Sequence, residues 1–211
     1  MKKGLIFDMD GTLWDSSENV AASWTEKIRE LGIDRPDVTR EDIMNVMGLT
    51  MDRIADILFG DLSKKKRMKL LEQCCDHEND YLRKHGGVLY PDLEKTLIRL
   101  KKKYHLYIVS NCQSGYIEAF LDFYGFGKYF DDIECYGNNL KDKGSNIALL
   151  AGRNKLEKAY YIGDIQGDYD ATMKAGLEFI HAAYGFGTIE QEVPELMRFS
   201  DLPDLLENII E

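Results

Sequence analysis

Leu5-Ile6-Phe7-Asp8-Met9-Asp10-Gly11-Thr12 is a short apolar run that stops abruptly at two carboxylates, a glycine and a hydroxyl. A run of this length and composition, bounded by polar residues, reads as a buried strand. In extended backbone, residues two apart share a face, so Asp8 and Asp10 project the same way, and Gly11 lets the chain turn at once. Beside a Mg²⁺ ion one such acid serves as nucleophile and the other as acid/base. Taken alone, an Asp-x-Asp at a strand end is ordinarily just a polar turn. The rest of the chain decides between the two.

Outward from this stretch the period changes. Val20, Trp24, Ile28 and Leu31 recur at helical spacing, with Asp15 and Glu18 placed like a capping pair and Gly32 as the stop. Thr39 opens a short helix with Ile43, Val46 and Met47, closed by Gly48, and Thr50 opens another with Ile54, Ile57 and Leu58. Ser63 starts a longer one with Met68, Leu71, Cys75 and Leu82 on one side, ending at Gly86-Gly87. No strand pattern interrupts this block, so an all-helical insert is expected.

After Pro91 helices and strands alternate. A helix with Leu93, Leu97 and Leu100 precedes a strand from His105 to Val109, then comes a helix with Ile117, Phe120 and Leu121. A weaker strand at Ile133 to Tyr136 leads to a helix with Ile147 and Leu150. A strand from Ala159 to Ile162, a helix ending at Gly176 and a strand from Phe179 to Ala183 follow. That alternation means an α/β fold with a parallel sheet, whose ligands bind at the carboxyl ends of the strands.

The 211 residues allow one good-sized core plus a smaller appendage, and 44% hydrophobic residues exclude a disordered chain. A net charge of −10 argues against nucleic acid as a partner, since gripping a phosphate backbone needs a basic face. Lys64-Lys65-Lys66-Arg67-Met68-Lys69 is the one basic run and reads as a solvated helix face. Cys74, Cys75, Cys112 and Cys135 have neither zinc-site spacing nor the density of a disulfide scaffold, and read as reduced thiols. The apolar run after Met1-Lys2-Lys3 is too short for an export signal, and none approaches membrane-spanning length. The expected setting is cytoplasmic, without a membrane partner. A monomer and a homodimer both remain open.

Three expected strands end in polar groups: the first in Asp8 and Asp10, another in Ser110-Asn111, a third in Gly163-Asp164 with Asp168 close behind. Each alone is explicable as a cap or turn. Three in one crevice suit a phosphate monoester, whose dianion repels an attacking carboxylate and so needs a divalent cation and fixed donors. Asp8 and Asp164, with the main-chain oxygen of Asp10, offer hard oxygen ligands for Mg²⁺. Ser110 and Asn111 would donate to phosphoryl oxygens. Lys141 and Lys143 are the candidate cations, and Lys143 is preferred because it directly precedes the helix containing Ile147, which points it towards the strand ends.

Asp8-Met9-Asp10-Gly11-Thr12, Ser110-Asn111, Lys143 and Gly163-Asp164 with Asp168 resemble, in order, the four motifs of the haloacid dehalogenase superfamily of phosphohydrolases. Lys143-Gly144-Ser145-Asn146-Ile147 and Gly167-Asp168-Tyr169-Asp170-Ala171 are similar to its phosphoglycolate-phosphatase-like group. The resemblance implies a Rossmann-like three-layer core built from residues 1–14 and 88–211, with a type 1 helical cap domain at residues 15–87. It implies that Asp8 forms an aspartyl-phosphate and that Asp10 protonates the leaving alcohol, then activates water. Thr12 would orient Asp10, Ser110 and Lys143 would hold the phosphoryl group, Asp164 would hold Mg²⁺, and Asp168 would position Lys143 or a metal-bound water.

The substrate implied is a small phosphorylated metabolite such as phosphoglycolate. The loop from Gly48 to Arg53 is the candidate for leaving-group recognition, with Arg53 as the cation for a carboxylate or a second phosphate. Asp10 favours phosphoryl chemistry over dehalogenation, because dehalogenases of the superfamily lack that aspartate. The alternatives are a sugar phosphomutase similar to β-phosphoglucomutase, a pyrophosphatase or nucleotidase, and, outside enzymes, a phosphate-sensing module.

Overall fold

The computed structural model describes residues 2–210, so Met1 and Glu211, the outer ends of the expected core segments, lie outside the described residues. The opening stretch forms β1 (Lys3–Phe7) and, after a turn, enters β2 (Trp14–Asp15). Four helices follow: α1 (Ser17–Glu30), α2 (Arg40–Met44), α3 (Met51–Leu58) and α4 (Lys64–His85). The chain returns through β3 (Val88–Leu89), then alternates: α5 (Leu93–Leu100), β4 (His105–Ser110), α6 (Tyr116–Tyr124), β5 (Asp132–Cys135) and α7 (Tyr136–Asn139). It closes with α8 (Lys143–Arg153), β6 (Lys158–Gly163), α9 (Gln166–Ala175), β7 (Glu178–Ala182), β8 (Glu195–Leu196) and α10 (Leu202–Ile210).

Six strands make one sheet in the order β5-β4-β1-β6-β7-β8, and every pairing is parallel. Parallel sheets are covered on both faces, and β1, at the centre, has Leu5, Ile6 and Phe7 fully buried. Ile6, Tyr107, Val109 and Tyr161 pack under Ile147 and Leu150 of α8 and Ala171 of α9. Leu5, Phe7, Ile108 and Ile162 pack under Leu97 of α5, Phe120 of α6 and Leu202 of α10. The result is a Rossmann-like three-layer α/β core. Phe7 lies opposite Ile108 of β4 and Ile162 of β6, so the carboxyl ends of these three strands stand side by side.

The helices between β2 and β3 pack on one another and on α6. Trp24 of α1 stacks on Phe59 with ring centroids 5.7 Å apart, and the Asn79 amide of α4 donates to Ser114 O at 2.9 Å. Their apolar core runs without a break into the α6 side of the sheet. Thr39 caps α2 through reciprocal bonds with Asp42. At α1 the expected Asp15–Glu18 pair is not what caps: Ser16 holds the cap position, and Asp15 accepts the N–H of Ser17 at 3.0 Å. In α3 the stripe is displaced, for Ile54 and Ala55 are buried while Ile57 is 59% exposed.

Five elements are additions to the sequence-based expectation, one of them α7, a single turn that takes Tyr136 out of the expected strand. β2 and β3 pair as a two-residue antiparallel ladder, Trp14 with Leu89 and Asp15 with Val88, too short for any periodic signal. β8 and α10 extend the sheet and its cover beyond β7. All four cysteines are free and buried, and among the described residues no helix is long and apolar enough to cross a membrane.

Candidate active site

Three strand ends and two helix starts build the site. After β1 the chain passes Asp8 and turns on Met9, whose carbonyl accepts the N–H groups of Leu13 and Trp14. Gly11 sits in this turn at φ +80°, where a Cβ would stand 2.0 Å from Asp164 Oδ2, so neither conformation nor space admits a side chain. Gly163 and Gly185 are crowded in the same way: a Cβ would come 2.5 Å from Asp168 Oδ2 and 2.4 Å from Asp164 Cβ respectively.

Lys143, the first residue of α8, is aimed into the crevice by a helix start capped by Asp142, which accepts the Ser145 N–H. Its Nζ donates to Asp8 Oδ1 at 2.9 Å and to Asp168 Oδ1 at 2.6 Å. Asp168 lies in the first turn of α9, and its Oδ2 accepts the N–H groups of Asp164 and Ile165 at 3.0 and 3.2 Å. Asp164 Oδ2 accepts the Phe186 N–H at 2.8 Å. Lys141, two residues away, is exposed.

All four side chains are almost wholly buried. Burial pushes the carboxyls of Asp8 and Asp164 above the usual carboxylate range, with Lys143 pulling both down and the neighbouring acids pushing both up. Burial works against charge on Lys143, but Asp168 and Asp8 outweigh it and hold the ammonium firmly protonated. Oxygens of Asp8, Asp164 and Asp168 all lie within 4.8 Å of one another. Three buried carboxylates face one ammonium, and the donors are hard oxygens only. That deficit of positive charge and that donor set fit a divalent cation such as Mg²⁺.

Asp10 belongs to a different environment. Its Oδ1 accepts from the Ser16 hydroxyl at 2.6 Å and the Tyr116 hydroxyl at 2.7 Å, and these two hydroxyls are 2.7 Å apart. Burial pushes its pKa up to about 6, while the two hydroxyl bonds pull down. Its carboxylate stands apart from the acid cluster, in which Asp168 appears among the described residues. Ser16 and Tyr116 are the residues that sequence reading missed. Each sits at a helix start, where a hydroxyl reads as a cap or a buried face, and 100 positions separate them.

Thr12, expected to orient Asp10, does not reach it. Its hydroxyl is buried without a hydrogen-bond partner among the described residues, and its carbonyl accepts the Tyr184 hydroxyl at 2.8 Å. Ser110 is buried at the end of β4. The Asn111 amide donates to Gly48 O at 2.9 Å, which ties the end of β4 to the loop before α3. Arg53 lies on the exposed side of α3, because Met51 and Ile54 turn towards the strand ends and the residue before Ile54 is carried about 100° round the helix. Among the described residues that line the cavity beside Asp10, Arg53 does not appear.

Residues 5–182 match the family model of haloacid dehalogenase-like hydrolases. A phosphoglycolate phosphatase of Aquifex aeolicus is 29% identical over 98% of this chain and 97% of its own length. One from Vibrio parahaemolyticus is 28% identical over 87% and 85%. Among solved structures, a haloacid dehalogenase-like hydrolase from Streptococcus pneumoniae superposes with a TM-score of 0.80 at 22% identity, covering 96% of this chain and 97% of that one. CbbY from Rhodobacter sphaeroides in complex with phosphate superposes with a TM-score of 0.79 at 20% identity, covering 96% of each. At such identities these two show the fold alone.

The chain belongs to the haloacid dehalogenase-like hydrolase family. Within it, the chain is a phosphatase similar to the phosphoglycolate phosphatases, which sets aside the phosphate-sensing module as its class.

Proposed function

We propose that the chain is a Mg²⁺-dependent, cytoplasmic phosphatase that hydrolyses a small phosphate monoester through an aspartyl-phosphate on Asp8, with residues 15–87 as a cap over the crevice. The observation that carries this reading is the division between two aspartates two positions apart: Asp8 faces the Lys143 ammonium, and Asp10 faces two hydroxyls. The residues that would hold Mg²⁺ are Asp8, Asp164 and the main-chain oxygen of Asp10, and the ion would neutralise the phosphoryl dianion.

Asp8 Oδ attacks phosphorus and the bond to the ester oxygen breaks. Asp10, protonated near pH 6, delivers its proton to that departing oxygen. Ionised Asp10 then takes a proton from water, the hydroxyl attacks phosphorus, and the Asp8–phosphorus bond breaks to release inorganic phosphate. Lys143 and Ser110 donate to the phosphoryl oxygens, and Asp168 holds Lys143 in place. The mutase alternative depends on Arg53 gripping a second phosphate, and that residue is exposed and does not line the cavity beside Asp10.

Purified protein with Mg²⁺ is expected to release phosphate from acetyl phosphate, to stop on chelation with EDTA, and to recover when Mg²⁺ is restored. Activity indifferent to EDTA would overturn the metal requirement. A second expectation concerns Tyr116→Phe, which keeps the buried ring and removes one donor to the Asp10 carboxylate. That donor favours the ionised form, so its loss raises the pKa of Asp10. From the ~1.5 kcal/mol of a hydrogen bond to a charged group, the ionisation near pH 6 in the kcat profile moves up by about one pH unit. A profile that stays put or moves down removes Tyr116 from this role.

A further inference from the structure

Next to Asp10 the crevice continues into a small, partly open cavity of about 50 Å³ between the strand ends and the helical insert. Asp10 and Asn111 bound it on the core side, and Trp24, Met47, Met51 and Ile54 on the other. The Asn111–Gly48 bond joins the two sides. Among the described residues no lysine, arginine or histidine lines it. Apart from Asp10, its only carboxyl is Glu78 of α4, 3% exposed, which accepts the indole N–H of Trp24 and a bond from the Gln113 amide.

A leaving group that Asp10 protonates has to occupy the space beside Asp10. Resting on the phosphatase reading above, we propose that this cavity receives the leaving group and restricts the enzyme to phosphate monoesters of small, uncharged, mostly apolar alcohols. Glu78 is the residue that rejects carboxylate-bearing esters. The physical reason is desolvation. A carboxylate placed here would be stripped of water, would face two acids, and would find no cation, whereas a methyl or methylene group meets Trp24, Met47 and Ile54. Burial already pushes Glu78 up to about 7, so the site resists even its own negative charge. A single hydroxyl on the leaving group can still donate to Glu78. Since one water needs roughly 10–15 Å³ measured this way, the cavity takes about three or four non-hydrogen atoms. The curated relatives from Aquifex and Vibrio carry the name of a carboxylate ester, phosphoglycolate, so this chain would depart from them in substrate while sharing their fold.

The test compares kcat/KM at pH 7 with Mg²⁺ for three esters of two-carbon alcohols: ethyl phosphate, 2-hydroxyethyl phosphate and phosphoglycolate, with acetyl phosphate as the measure of phosphatase activity itself. The first two are expected to exceed phosphoglycolate by about tenfold to 100-fold, the range that pocket chemistry of this kind commands. Glu78→Gln, and separately Met51→Lys, which adds a cation to the wall, are each expected to shift the ethyl-to-glycolate ratio towards phosphoglycolate by about tenfold. Two variants in different elements guard against one that fails to fold. If the native enzyme turns over acetyl phosphate yet prefers phosphoglycolate, the cavity proposal is overturned and the phosphatase reading stands. Failure to release phosphate from all four compounds would overturn both.

Discussion

Asp8→Asn is expected to lower turnover of acetyl phosphate by roughly 10⁴-fold or more, as loss of a nucleophile does where the remaining groups act as a unit with it. Asparagine has the shape of aspartate, so the substitution removes the attacking oxygen's charge without opening a cavity. It also removes one of three buried carboxylates, and the melting temperature of the metal-free variant should equal or exceed that of the native protein. The pairing of these two readouts is the point, because inactivity with a lowered melting temperature would mean a damaged fold. Residual activity within tenfold of native, in protein shown by mass to be free of deamidation, would end the aspartyl-phosphate mechanism.

Lys143→Met should lower both activity and stability. Among the described residues the ammonium is the only cation set against Asp8 and Asp168, and breaking one side of a buried ion pair costs about 3 kcal/mol or more. Turnover is expected to fall by about 10²-fold or more, the usual loss when a fixed donor to developing charge is removed. The control is Lys141→Met, an exposed residue two positions away, which should change neither quantity by more than about twofold. A Lys143→Met protein that melts and turns over like the native one would show that the bridge to Asp8 and Asp168 is ornamental.

The order of the sheet and the convergence of its strand ends were legible because they depend on short-range pattern: apolar runs of strand length, each closed by a polar group. Asp8, Lys143, Asp164 and Asp168 could be found for the same reason, since each stands at the boundary of an element. The surroundings of Asp10 could not. Tyr116 reaches it only because β4 lies beside β1, and a hydroxyl at a helix start carries no mark of the carboxylate it will meet. Arg53 is the opposite case. A cation near a loop invites a functional role, but the helix turns Met51 and Ile54 inward, and that leaves Arg53 to solvent. Displacement of the α3 stripe, with Ile57 outside, is the same effect seen from its apolar side. Glu78 lay in a helix whose polar residues all looked alike until α1 and α6 packed against it.

The crowding at Gly11, Gly163 and Gly185 bears on how this enzyme can be diversified. At those three positions an added methyl would run into Asp164 or Asp168, so the phosphoryl end of the crevice tolerates no variation in its backbone frame. The far end is built from side chains of the insert, Met47, Met51 and Ile54 among them, which can change size and charge without moving a strand. A combinatorial library at those insert positions should therefore return folded enzymes with altered preferences, while one at the three glycines should return almost none. One end of the molecule conserves a reaction, and the other is free to explore its substrates.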